Sequence, residues 1–175
     1  MSYQSFEQVL QKCHTEEKEF WRVILEDDMA ERNVSEEDSM EHMRATWDAM
    51  LLAAATYEGN LNSSSGLVGG DGRRMEEYIR SAQTKSLCGE YVDTCIAGAL
   101  QMGESNACMK RIVAAPTAGA CGVLPAVLVP YFQKRCKDTD KILKAMYVAA
   151  GIGQIIATRS SISGAAGGCQ AEIGA

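Results

Sequence analysis

From Ile112 to Gln133 the chain carries no charged residue, and this run sets the first constraint on the fold. It is long enough to pose the question of a membrane-spanning helix. It also contains all three prolines of the chain, Pro116, Pro125 and Pro130, together with Gly119 and Gly122. Proline removes a backbone donor and clashes with the preceding helical turn, so a continuous spanning helix is incompatible with the run. The expectation is buried protein interior and no membrane partner. A helix over Val123 to Gln133 would carry Pro125 in its first turn, where no donor is needed, and would be kinked or shortened at Pro130.

Before Arg111 the pattern is charged and amphipathic. Phe6, Val9, Leu10 and Cys13, then Phe20, Trp21, Ile24, Leu25 and Met29, recur every three or four residues, which predicts one long helix or two short ones. Ser35 followed by Glu36, Glu37 and Asp38 marks a helix start. The helix it opens would run through Met40, Met43, Trp47, Met50, Leu51, Ala54 and Tyr57, with Gly59 placed to end it. The stretch NLNSSSGLVGGDG (60–72) fits neither helical nor alternating periodicity and reads as a loop rich in hydrogen-bonding groups. Helical spacing returns at Met75, Tyr78, Ile79 and Ala82 and again at Val92, Cys95, Ile96, Ala99 and Leu100, with Gly89 as a separator. Arg111 to Ala115 reads as a short extended lead into a glycine loop. Asp138 would cap a further helix through Ile142, Leu143, Met146, Tyr147, Ala150 and Ile155, weakened late by Gly151 and Gly153. No pair of strands and no internal repeat is found. The expected fold is all-α, one mostly helical domain over residues 1–175 with glycine-rich loops between helices. At 46% hydrophobic, 175 residues can bury one sizeable core.

The formal charge of −6 argues against a surface that neutralises phosphates, so nucleic acid is not an expected partner. The N-terminus lacks the basic-then-apolar pattern of a secretory signal. Seven cysteines cannot all pair internally, and a reducing cytoplasm is the expected setting. Some thiols are then free for chemistry.

Two of them lie in glycine-rich runs, Cys121 in APTAGACG (115–122) and Cys169 in SISGAAGGCQAEIG (161–174). Small neighbours allow close approach to an inorganic cluster, and exposed amides can hydrogen-bond its sulfides. The other reading is that both are small core residues beside tight helix contacts. Cys13, Cys95 and Cys136 fall in helical stretches and read as packing or surface. Cys88 and Cys108 lie near breaks, but no CxxC pair supports zinc. His14 and His42 sit in amphipathic helices, away from the glycine runs, which leaves a thiolate–imidazole nucleophile unsupported. No GxSxG elbow and no P-loop occurs. No lysine lies in the three loops, so a Schiff base to pyridoxal phosphate has no candidate there.

The three ordered runs SSSGLVGGD (63–71), APTAGACGVLPAVL (115–128) and SISGAAGGCQAEIG (161–174) closely resemble the α chain of iron-sulfur-dependent L-serine dehydratases. The resemblance covers Ser63 onward at motif level. It implies a helical catalytic domain with a 4Fe-4S cluster held by three cysteines, its fourth iron open to L-serine as a Lewis acid. Cys121 and Cys169 match two ligand positions. Thr117, Ser161 and Ser163, then Ser63, Ser64, Ser65 and Gly66, are the residues it implies for substrate or cluster orientation, although each hydroxyl can instead cap a loop or helix. No catalytic base is nominated. The chain stops at Ala175 where family α chains continue, so the expected ligand set is incomplete, with Cys108 or Cys88 next in line. Ala166 stands where many relatives carry glutamate, and Ala118 where single-chain relatives often carry asparagine.

The resemblance thus implies an oligomeric cytoplasmic lyase that turns L-serine into pyruvate and ammonia together with a β chain or β domain. The alternative is a non-catalytic helical fragment or interaction module. A third reading, an electron-transfer iron-sulfur protein, lacks ferredoxin-like cysteine spacing.

Overall fold

A computed structural model of the chain describes residues 2–81 and 86–175, so the expected helical position at Ala82 lies outside the described residues. The structure is all-α, with no strand among the described residues. The order is α1 (Phe6–Thr15), α2 (Phe20–Arg32), α3 (Glu36–Ala55), α4 (Asp71–Arg80), α5 (Glu90–Ala107), α6 (Val123–Tyr131) continued by a π turn (Phe132–Cys136), α7 (Thr139–Arg159), α8 (Gly164–Gly167) and α9 (Cys169–Gly174). These elements pack as two compact units, one of Met1–Trp47 with Asp138–Ala175 and one of Asp48–Lys137.

In the first unit the N-terminal periodicity resolves into two helices. Glu17 takes a left-handed conformation (φ 52) between them, and the Lys18 amide closes on the Cys13 carbonyl at 2.9 Å. α2 ends on Asn33, also left-handed, whose amide returns to the Met29 carbonyl. Ser35 opens α3 as the sequence predicts. Its hydroxyl accepts the Asp38 amide at 3.1 Å while Asp38 accepts the Ser35 amide at 3.2 Å, a reciprocal cap with aspartate in the usual glutamate position. Asp138 caps α7 through the amides of Asp140 and Lys141.

The apolar core of this unit is Val9, Val23, Ile24, Leu25, Tyr147 and Ile155, with Phe20, Trp21, Met40 and Met43 packed against it. Gly151 does not interrupt α7. A β-carbon there would meet the Ile24 side chain at 2.6 Å, so the missing side chain is what seats α2 on α7. One polar thread crosses the core: the Tyr147 hydroxyl lies 2.6 Å from Ser39 Oγ, which donates to Asp28 at 2.6 Å.

The second unit holds the end of α3, α4, α5, α6 and the π turn. α5 and α6 touch through small residues, where a β-carbon on Gly98 would lie 3.4 Å from Ala126 Cα and one on Gly122 would lie 3.1 Å from the Ala99 carbonyl. Pro125 sits in the first turn of α6. Beyond Pro130 the helix widens into the π turn, with the Lys137 amide reaching the Phe132 carbonyl at 3.0 Å. A proline that supplies no donor and crowds the preceding turn accounts for the shortening.

Three expectations need correction. α3 stops at Ala55, before Tyr57 and Gly59, because Tyr57 leaves the helix for a partner described below. α4 begins at Asp71, so the last two residues of the expected 60–72 loop are helical. The uncharged run is interior only in part: Cys121, Ala126 and Val129 are buried, whereas Val127 and Tyr131 are exposed. The apolar row of α5 likewise faces outward at Val92, Ile96 and Leu100, while Asp93, Ala97, Met102, Glu104 and Ser105 are buried. Among the described residues no helix is long and apolar enough to cross a membrane.

Ile24, 1% exposed, is the side chain that fills the notch at Gly151. Ile24→Ala is expected to cost about 2–5 kcal/mol, read as a lower urea midpoint of the helical circular-dichroism signal. Leu10→Ala, at a position 56% exposed, is expected to leave the midpoint nearly unchanged.

Candidate functional site

The serine-rich loop of the second unit is a compact turn closed on itself. The Ser63 amide donates to the Val68 carbonyl at 2.8 Å, the Gly66 amide to the Ser63 carbonyl at 2.9 Å, and the Val68 amide to Ser63 Oγ at 3.1 Å. Gly66 occupies the left-handed region (φ 72) with open space around it, which is what glycine provides at such a turn. Gly69 is required for a different reason, since a β-carbon there would fall 2.3 Å from the Leu61 carbonyl. The three serines therefore differ. Ser63 is buried and committed to Val68. Ser65 lies 3.1 Å from Ser63 Oγ and accepts the Leu67 amide. Ser64 is exposed, and its hydroxyl has no hydrogen-bond partner among the described residues.

The end of this loop is held by a residue that sequence reasoning did not single out. Gly70, the N-cap of α4, offers no capping side chain. Glu104 of α5 fills the role instead: Oε1 accepts the amides of Asp71 and Gly72 at 2.5 and 3.1 Å, and Oε2 accepts the Tyr57 hydroxyl at 2.5 Å. Glu104 is 2% exposed. A buried carboxylate is tolerable where amides at a helix N-terminus and a hydroxyl replace its water shell. Burial, and then the Glu104 carboxylate, push the Tyr57 hydroxyl above the ordinary phenol range. The only sequence signal was a glutamate at helical spacing from Ala97 and Leu100, continuing the row of Val92, Ile96 and Leu100.

The run 115–122 is shaped by its own short bonds and by α5. Thr117 Oγ1 accepts the Ala120 amide at 3.4 Å, and the Ala118 carbonyl takes both the Cys121 amide at 3.3 Å and Asn106 Nδ2 at 3.0 Å. Ala120 and Cys121 are each 2% exposed. Cys121 packs with Ala53, Met102 and Ile112, and its Sγ donates to the Met102 carbonyl at 3.8 Å. Burial raises the thiol above its usual pKa, so the neutral form is favoured.

The third run belongs to the first unit. Ser161 Oγ accepts the Ser163 amide at 3.3 Å, and the amides of Ala166 and Gly167 close on the Ser163 carbonyl at 3.0 and 2.8 Å. A β-carbon on Gly167 would meet the Ser161 carbonyl at 1.9 Å, so this turn exists only with glycine there. Ser163 is exposed, and its hydroxyl has no hydrogen-bond partner among the described residues. Cys169 is exposed at the start of α9. Ala166 leaves its position without a carboxylate, but Glu172 lies over the same turn, with Oε2 at 2.3 Å from a β-carbon built on Gly164.

The structure thus brings Ser63, Ser64, Ser65 and Gly66 into one loop and Thr117 with Cys121 into another, both anchored on α5. Ser161, Ser163 and Cys169 share the third. Cys108 ends α5 partly exposed, Cys88 is exposed just before it, and Cys13, Cys95 and Cys136 lie on helical turns as expected. His14 and His42 are exposed on α1 and α3. A cluster needs thiolates converging on one point. Among the described residues no group of three or more His, Cys, Asp or Glu is placed to hold a metal ion, and Cys121 is turned to a carbonyl.

Comparison with known proteins bears on the chain as a whole. The family model described as "Serine dehydratase alpha chain" matches residues 15–175. The chain is 35% identical over 152 residues to the probable L-serine dehydratase, alpha chain, of Bacillus subtilis, covering 87% of this chain and 50% of that one. It is 33% identical over 171 residues to the L-serine dehydratase, alpha chain, of Peptoniphilus asaccharolyticus, covering 95% and 57%. It is 46% identical over 78 residues to L-serine dehydratase 2 of Escherichia coli, covering 43% and 17%. The chain therefore spans about half the length of the curated alpha chains it matches. No solved structure matches it significantly. By the extent of these matches, and with all three runs inside the family match, the chain belongs to the serine dehydratase alpha chain family.

Proposed function

We propose that the chain is part of an L-serine dehydratase. The reaction removes the α-proton and the β-hydroxyl of L-serine as water. The enamine left behind tautomerises to an imine, and hydrolysis gives pyruvate and ammonia. The observation that carries this reading is the family match, which takes in all three runs in order, two of which present an uncommitted serine hydroxyl at a glycine turn.

Within this reading Ser64 and the Gly66 turn are the groups that meet the polar ends of the amino acid in the second unit, and Ser163 is the corresponding group in the first. Ser63 and Ser65 orient the first of those turns and Ser161 the second through the amides they accept, and Thr117 does the same for the 115–122 run. The proposal extends to cofactor and assembly. Cys121 and Cys169 would each contribute a sulfur ligand to an iron-sulfur cluster, and the chain would work with a β chain or β domain, as the alpha-chain names of its relatives suggest. The setting proposed for the enzyme is a reducing cytoplasm, where thiols stay available as ligands.

Two measurements test this reading. In the assembled enzyme, reconstituted anaerobically with iron and sulfide, L-serine-dependent pyruvate formation is expected to fall to background in Cys121→Ala and in Cys169→Ala, with loss of bound iron. Full activity and iron in both variants would remove the ligand assignment. In the chain before reconstitution, iodoacetamide is expected to label Cys88 and Cys169 readily at mildly alkaline pH and Cys121 only after unfolding, because its thiol is buried and held neutral. Peptide mass spectrometry reads the order, and early labelling of Cys121 would contradict its placement.

A further inference from the structure

The buried carboxylate of Glu104 does more than satisfy a helix end. The two amides it accepts belong to Asp71 and Gly72, the first residues after the serine loop. Its other oxygen is fixed by Tyr57, and Tyr57 is in turn confined by the absence of a side chain at Gly72, where a β-carbon would stand 2.8 Å from the Tyr57 hydroxyl and 2.7 Å from Gln101 Cγ. The loop's own bonds shape its tip between Ser63 and Val68, but none of them fixes the tip relative to the helices. Gly69 and Gly70, both at positive φ, make the connection from tip to α4 a pair of permissive residues. Glu104 is the first group beyond that pair that ties the chain to α5.

A second consequence concerns charge. The amide-rich N-terminus of a helix attracts anions. At α4 that position is already filled by the protein's own carboxylate, so an incoming carboxylate finds no vacancy there and is left to the loop tip.

We propose that Glu104 is a positioning residue for the substrate loop: by clamping the start of α4 it holds the Ser64 and Gly66 tip in register and keeps the helix end closed to the substrate carboxylate. The inference rests on the serine dehydratase reading. It predicts a graded series. Glu104→Ala removes both acceptors. Glu104→Gln keeps Oε1 for the two amides and can still bond Tyr57 through its amide nitrogen. Tyr57→Phe leaves the two amide bonds in place.

The test combines L-serine titration of the chain, followed by the backbone amide signals of Ser63 to Gly72, with steady-state kinetics of the assembled enzyme. Glu104→Ala is expected to weaken L-serine binding and raise KM by about tenfold or more, the scale of losing hydrogen bonds to a buried charge, with a smaller change in kcat. Glu104→Gln is expected to recover most of that loss, and Tyr57→Phe to stay within about threefold. If Glu104→Ala does not fold, Glu104→Asp replaces it, since the shorter side chain keeps the charge but withdraws it from the amides, and the same rise in KM is expected. A folded Glu104→Ala or Glu104→Asp chain with unchanged KM and unchanged loop signals would overturn the clamp. So would a Glu104→Gln enzyme as impaired as Glu104→Ala. A wild-type chain in which L-serine moves no amide signal, with no turnover in the assembled enzyme, would instead overturn the serine dehydratase reading itself and the clamp with it.

Discussion

The organisation of the Asp48–Lys137 unit depends on how close α6 comes to α5. Gly98 and Ala99 on one helix and Gly122 and Ala126 on the other leave so little between the two backbones that an added β-carbon at either glycine would meet a neighbouring backbone or alanine atom at 3.1–3.4 Å. Interiors packed to crystal-like density transmit such contacts as position. Once α6 is pressed against α5, Cys121 at its approach has nowhere to go but the floor beside Ala53 and Met102. The glycines flanking this cysteine therefore serve helix packing at Gly122, not only the loop.

The stretch Gln101 to Asn106 of α5 then fixes both loops by helical period. Met102 and Asn106, four residues apart and so on one face, receive the Cys121 thiol and donate to the Ala118 carbonyl. Gln101 and Glu104, three apart, turn to α4, where Gln101 bonds Glu76 at 2.7 Å and Glu104 takes the first two amides. A rotation of α5 by one residue would break both sets together. This also explains why the apolar row Val92, Ile96 and Leu100 faces outward: the inward faces are spent on small residues for close approach and on polar groups with defined partners.

Those polar groups show what was and was not legible in the sequence. The helix starts were readable because their signals are local; Ser35 with Asp38, and Asp138 with the amides that follow it, act within three residues. The shortening at Pro130 was readable from one side chain. Glu104, Tyr57 and Asn106 were not, since each bonds a segment 12 to 47 residues distant and nothing local marks the partner. The spacing of apolar residues marked α5 as a helix but not its buried face, because periodicity reports where apolar residues recur, not which side a neighbour covers. For glycine the sequence gives position without purpose: Gly66 is needed for its φ, Gly69 and Gly167 for a carbonyl that would collide with any side chain, and Gly151 for the Ile24 side chain.

The same distinction sorts the hydroxyls. A run of serines reads as a set of equivalent ligands, yet a hydroxyl that already accepts a backbone amide has its orientation set by the turn it stabilises. Ser63 holds Val68, Ser65 holds Leu67, Thr117 holds Ala120 and Ser161 holds Ser163. Removing any of these would loosen a turn before it removed a contact to substrate. Ser64 and Ser163 are exposed beside those turns with no partner among the described residues, so each can offer both donor and acceptor to a ligand at little conformational cost. Two of the three motifs are thus built as pairs, with one hydroxyl fixing the backbone and an exposed neighbour carried on it, so a substitution at the second member tests ligand contact without first loosening the turn.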